Sequence, residues 1–138
     1  MKEYIDLAIK ACDNCHAPYS NYYVGACLVC KDDTCFTGCN IENASYPAGN
    51  CAERTAFFKA ISEGHKDFKM IIIVGGHNKV LDDTPTPCGI CRQVMSEFCD
   101  KDFKIVLADS KYNYKEYKLS EMLPFSFEFG DLWECMIL

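Results

Sequence analysis

Two short patterns constrain this chain more than any others. Cys51-Ala52-Glu53-Arg54 opens one predicted helix and Pro87-Cys88-Gly89-Ile90-Cys91 opens another. Cys88 and Cys91 are three residues apart, about 300° around a helix, so both sulfurs can face one point off its N-terminal end. Cys51 supplies a third sulfur from a different helix, so a fold that uses the set must bring two helix N-termini together. Glu53 would face away from Cys51 in mid-helix, but in a first turn both address the space beyond the end. Each helix N-terminus carries roughly half a positive charge, which favours thiolate over thiol. Three thiolates and an open fourth position suit Zn2+, one ion per chain. Arg54, directly after Glu53, is the nearest cation to offset the excess negative charge.

Zinc brings the pKa of a bound water to about 7, and Glu53 is placed to shuttle the proton. Zinc deaminases use this donor set with a glutamate that is a base and not a ligand; here the first half reads C-x-E in place of H-x-E. Three rivals stay open. A closed, structural Cys-only zinc site leaves the fourth position unexplained, and a thioredoxin-like redox pair at Cys88 and Cys91 leaves Cys51 and Glu53 idle. The third is a zinc-stabilised binding module without catalysis.

Composition narrows the partners. With 138 residues we expect one domain spanning 1–138, and 49% apolar residues are enough to bury a core. Lys and Arg number 14 against 20 Asp and Glu, a formal charge of −6, and no basic run offsets it. Such a surface repels phosphate chains, which argues against nucleic acid as a partner. Met1 to Asp6 lacks the apolar stretch of an export signal, and no apolar run approaches the roughly 18 residues of a membrane span. We therefore expect a cytoplasmic protein with no membrane partner, whose 11 cysteines are reduced.

The periodicities predict a helix over Lys2–Cys15, stopped by Pro18, then a hairpin of strands Tyr23–Cys30 and Cys35–Asn40. Asn50 is the expected N-cap of a helix over Cys51–Glu63, with Gly64 in the left-handed position after it. Met70–Val74 reads as a fully buried strand ending in Gly75-Gly76. Pro87 suits the first turn of a helix over Cys88–Phe98. Strands over Phe103–Ala108 and Tyr114–Leu119 and a tail over Ser120–Leu138 complete an α/β layered domain with a mixed sheet. Only about five residues separate the last two strands, whereas a parallel crossover needs about a dozen, so they must pair antiparallel.

The stretches Tyr19-Ser20-x-x-x-Val24-Gly25-Ala26, Gly38 to Pro47, Cys51 to Ala56, Pro87 to Gln93 and Glu121-Met122-Leu123-Pro124 resemble the small homotetrameric cytidine deaminases over nearly the whole chain. The resemblance implies a three-layer fold, a five-stranded mixed sheet with helices on both faces. It implies Cys51, Cys88 and Cys91 as zinc ligands and Glu53 as general acid and base. Asn40 and Glu42 match the pair that hydrogen-bonds ribose hydroxyls, and Ala52 belongs to the same substrate pocket. Tyr22 stands where the family has a phenylalanine that stacks on the pyrimidine, so its hydroxyl needs a partner. Tyr46 and Phe127 resemble aromatics that reach a neighbouring subunit's active site, although Phe125 and Phe129 depart from the family's tail.

Deaminases of polynucleotides resemble one another in a crossover helix before the last strand, for which this chain has no room. The implied activity is deamination of free cytidine and 2′-deoxycytidine, as in pyrimidine salvage. A deaminase of a cytosine-containing antibiotic would share the zinc motifs but lack the Asn40 and Glu42 pair. Cys12-x-x-Cys15 and Cys27-x-x-Cys30 lack the Gly or Pro of a metal knuckle. We read these four, with Cys35, Cys39, Cys99 and Cys135, as small hydrophobes and expect no second zinc site there.

Overall fold

The computed structural model describes residues 1–128; Phe129, Cys135 and the rest of the tail lie outside the described residues. Tyr22–Cys30 (β1) runs antiparallel to both Cys35–Cys39 (β2) and Phe68–His77 (β3). β3 pairs in parallel with Lys104–Ala108 (β4), which pairs antiparallel with Tyr114–Lys118 (β5). The order β2-β1-β3-β4-β5 is the expected five-stranded mixed sheet. The tight β4–β5 turn is held by the Asp109 carboxylate, which accepts the backbone N–H groups of Lys111 and Asn113 at 2.8 and 3.0 Å.

Alternation along β1 and β3 sends side chains to both faces, and both faces are covered. Ile5, Ala8 and Cys12, from Lys2–Ala11 (α1) and the turn after it, pack on Cys27, Val29, Ile72, Val74 and Val106. The opposite face carries Ala52–Ser62 (α2) and Gly89–Phe98 (α3), whose Ala56, Phe57, Ala60, Cys91 and Met95 pack on Ala26, Leu28, Ile71, Ile73 and Ile105. The short helix Leu119–Met122 (α4) adds Leu119 to that layer. Phe57 is the anchor, with ring centroids 5.1 Å from Phe68 and 6.0 Å from Phe103. Among the described residues no helix is long and apolar enough to cross a membrane.

Several boundaries differ from expectation for physical reasons. The first helix ends at Ala11 and tightens into a 3-10 turn over Cys12–Asn14, where Asp13 and Asn14 are weak helix formers. Cys51, and not Asn50, is the N-cap of α2, because the Asn50 backbone bridges to Ile41 and its side chain donates to Thr55 Oγ1 at 3.2 Å. Pro87 stands one residue before the N-cap Cys88 instead of inside the first turn. β3 continues through Gly75 and Gly76 to His77 because Tyr22–Val24 of β1 extend far enough to pair with them.

Gly38 is where the sheet admits the site. A Cβ there would collide with the Ala52 carbonyl oxygen and lie 2.6 Å from the Ala56 amide nitrogen. The first turn of α2 therefore sits directly on β2.

Candidate metal and substrate site

Two helix starts meet beside the start of β1 and the end of β2. Cys51 is the N-cap of α2 and Cys88 the N-cap of α3, both with extended backbone and neither with a side-chain cap, so their sulfurs are left for other partners. Cys91 follows in the first turn of α3. The ligand atoms of Cys51, Cys88 and Cys91 lie within 4.8 Å of one another. Arg92 steadies the approach to α3 by donating from Nε to the Pro87 carbonyl and from Nη1 to the Met122 carbonyl, each at 2.7 Å.

Charge is arranged around the sulfurs. Hydrogen bonding from the Cys91 thiol, and then from Arg54, holds the Cys51 thiol below its ordinary range, while Cys91 is pushed up by its bond to Cys51 and by burial. Arg54 Nη2 lies 3.3 Å from Cys51 Sγ. Burial opposes the Arg54 charge, but its bonds to Cys51 and Cys91 outweigh that cost and keep it protonated. Glu53, next along α2, is only 4% exposed, and burial pushes its carboxyl up to about 7, with the nearby Cys51 charge adding to the effect. Near neutrality such a group can both take and give a proton.

The cluster opens into a cavity of about 590 Å3 that takes in Tyr22, Asn40, Glu42, Tyr46, Cys51, Ala52, Glu53, Arg54 and Cys88. Asn40 and Glu42 follow β2, on either side of Ile41, whose backbone bridges His16 and Asn50. Both side chains already work for the fold. The Asn40 amide extends the ladder of β1, donating to the Tyr22 carbonyl at 2.8 Å and accepting the Val24 N–H at 3.0 Å. Glu42 accepts the backbone N–H groups of Tyr19 and Ser20 at 2.9 and 3.2 Å and the Ser20 hydroxyl, which together hold its carboxyl below the usual range. The hydroxyl of Tyr22 finds its partner in Asp83; burial and then the Asp83 charge push it up to about 12. The Tyr22 ring meets His77 edge-on at 4.7 Å.

The cavity gathers every candidate residue except two. Cys91 is buried beneath it, and Phe127 lies outside, with its carbonyl accepting from Gln93 Nε2 at 3.0 Å. Tyr46 is on the lining but largely exposed. Sequence reasoning missed Ser20 as the Glu42 clamp, Asp83 behind Tyr22, and Pro85 and Thr86 on the wall. Ser20, inside the Tyr19-Ser20 stretch, and Thr86, directly before the second cysteine pattern, had a local signal.

A sequence model of the cytidine and deoxycytidylate deaminase zinc-binding region matches residues 1–107. The chain belongs to this family. It is 45% identical over 125 residues to a cytidine deaminase of Halalkalibacterium halodurans, an alignment covering 91% of this chain and 92% of that relative. A cytidine deaminase of Sporosarcina psychrophila is 42% identical over 123 residues, 89% of this chain and 88% of that one. A 1.6 Å crystal structure of cytidine deaminase from Burkholderia pseudomallei superposes with a TM-score of 0.83 at 40% identity, covering 91% of this chain and 98% of that one.

The metal of this deaminase family fits the residues present. Tetrahedral zinc with Zn–S bonds of about 2.3 Å sets neighbouring sulfurs about 3.8 Å apart. Cys51 Sγ and Cys88 Sγ are 3.8 Å apart. A third sulfur from Cys91 completes a donor group suited to zinc, and the Arg54 guanidinium turned toward the set offsets its negative charge.

Proposed function

We propose that the chain is a single catalytic domain that hydrolyses the C4 amine of cytidine and 2′-deoxycytidine, giving uridine and 2′-deoxyuridine with release of ammonia. The observation that carries this reading is a buried carboxyl, Glu53, beside three convergent thiols in a cavity shared with Asn40 and Glu42. Cys51, Cys88 and Cys91 would hold the zinc, which when bound supplies Lewis-acid activation of water at neutral pH.

The chain's own side chains do the remaining work. Glu53 takes the proton of the attacking water and delivers it to N3 of the ring as the oxygen adds at C4. A second transfer through Glu53 protonates the amine as the C4–N bond breaks, so ammonia leaves and the keto product remains. Tyr22 offers an aromatic face to the base, and Val24, Ile73 and Ala52 supply apolar wall. Beyond its two bonds to β1, the Asn40 amide retains one N–H and one lone pair for a sugar hydroxyl. Glu42 brings a full negative charge, which suits hydroxyl donors and opposes phosphate.

The same reading has the protein acting in the cytoplasm as a homotetramer whose neighbouring sites Tyr46 and Phe127 reach. The exposed apolar side chains of Tyr46, Phe58, Ile90, Phe125 and Phe127 support such an interface. The net charge of −6 supports a free nucleoside over a polynucleotide as substrate. Ammonia release from cytidine, 2′-deoxycytidine, free cytosine and a cytosine-containing oligonucleotide tests the proposal. Prompt release from the two nucleosides is expected; release from the oligonucleotide alone, or from none, would contradict it.

A further inference from the structure

A second set of metal-binding donors sits at the opposite end of α2. The helix has 11 residues, which separates its two ends by about 16 Å at a rise of about 1.5 Å per residue. There the Sγ of Cys30, a carboxylate oxygen of Asp32 and a ring nitrogen of His65 lie within 4.8 Å of one another.

Local structure puts each donor in place. β1 follows β3 in regular register as far as Val29, where a bulge intervenes and sets Cys30 opposite Phe68. Bulges of this kind re-aim a side chain at a sheet end, and Cys30 is buried there in the layer under α2 while Cys27 faces the other layer. Asp32 belongs to the β1–β2 turn and is held by an Asx-type bond from the Thr34 N–H to Oδ1 at 3.0 Å. His65 follows Gly64, whose φ of +92° turns the chain sharply off the helix, and its N–H closes onto the Ala60 carbonyl at 3.0 Å. The imidazole rests edge-on against Phe36 with centroids 4.9 Å apart. The Lys31 N–H reaches the Asp67 carbonyl at 2.9 Å, which ties the turn to the segment after α2.

Thiolate, carboxylate and neutral imidazole are the three donor types of protein zinc sites. Their summed charge balances a divalent cation without a helper, unlike the three-thiolate set that needs Arg54. The C-terminal end of α2 is the negative pole of the helix dipole and favours a cation, and the Asp67 carboxylate adds its negative charge near Cys30. Asp32 is exposed, so the open side of the group faces solvent and leaves room for water as a further ligand.

We propose that Cys30, Asp32 and His65 bind a second Zn2+ ion, which releases the Cys30 proton on binding and pins the β1–β2 hairpin to the end of α2. Cys30, read from sequence as a packing residue, is then a ligand.

The test is Zn2+ stoichiometry on the full chain, by titration against a colorimetric chelator, in the wild type and in His65→Ala and Asp32→Asn. Asp32 is exposed and His65 half-buried, and neither belongs to the buried core. The wild type is expected to hold two equivalents, and each variant to lose the weaker one while keeping the tighter. Loading with Co2+ adds a spectroscopic readout, a second-equivalent thiolate-to-cobalt absorption that weakens or shifts in His65→Ala. A wild type that saturates at one equivalent, or a second equivalent that survives both substitutions, would overturn the proposal.

Discussion

The Arg54 guanidinium donates to the Cys51 sulfur at 3.3 Å from one turn along the same helix, and its Nε is buried without a partner among the described residues. The helix thus carries both a proposed ligand and the cation that offsets its charge. Loss of a hydrogen bond to a charged group costs about 1.5–3 kcal/mol, or roughly 10- to 150-fold in rate. Arg54→Ala is expected to keep zinc but to lower kcat on cytidine within that range, read as absorbance loss in steady-state assays.

Gly38→Ala tests how closely α2 must sit on β2. The new methyl meets the backbone of Ala52 and Ala56, which cannot swing aside like a long side chain. Overpacking of this kind costs about 1–3 kcal/mol. A lowered Tm and faster zinc loss to a chelator are expected together, since the strained helix carries Cys51 at its start.

Ser20→Ala removes the hydroxyl that binds Glu42 and leaves the two backbone donors in place. A loosened Glu42 should raise KM for cytidine several-fold with little change in kcat, because the contact proposed for it is with the sugar and not with C4. Glu42→Gln, which removes the charge itself, should raise KM by more, on the order of tenfold. Equal falls in kcat with unchanged KM would place Glu42 elsewhere in the reaction.

Among the described residues, Cys15 should be the most reactive thiol outside the metal group. The Cys12 thiol hydrogen-bonds to it and holds it at about 7, despite partial burial, whereas burial pushes Cys27 and Cys39 up. Brief iodoacetamide treatment of the zinc-loaded protein near pH 7.5, followed by peptide mass analysis, should modify Cys15 ahead of Cys12, Cys27 and Cys39. As pH falls below about 7 the preference should fade, because the thiolate is lost.

The periodic elements were legible because their apolar spacing is local. The hairpin, the apolar Met70–Val74 run, of which only Met70 is half-buried, and the antiparallel closing strands all follow from patterns a few residues long. Gly64 likewise showed itself by position, and the structure gives it the left-handed conformation expected there. The two cysteine patterns were legible for the same reason: each occupies a single helix start.

What the sequence hid depends on contacts between distant residues. Asn50 is a plausible cap by type, yet its bridge to Ile41 removes it and leaves the position to Cys51. Asn40 and Glu42 were candidates from sequence and both line the cavity, but their bonds to Tyr22, Val24, Tyr19 and Ser20 arise only when β2 folds back on β1. Asp83 behind Tyr22 and His65 beside Cys30 carry no spacing signal at all, since strand pairing and a helix end bring them there.

The central claim is that Glu53 moves the proton while the three cysteines hold the metal. Glu53→Gln keeps the shape of the buried side chain and removes its acid–base function. Zinc per chain and cytidine turnover should be measured on the same preparation. Near wild-type zinc with turnover reduced by at least about a hundredfold, the lower range for a lost general acid or base, is the predicted result. Full zinc with near-normal turnover would contradict it.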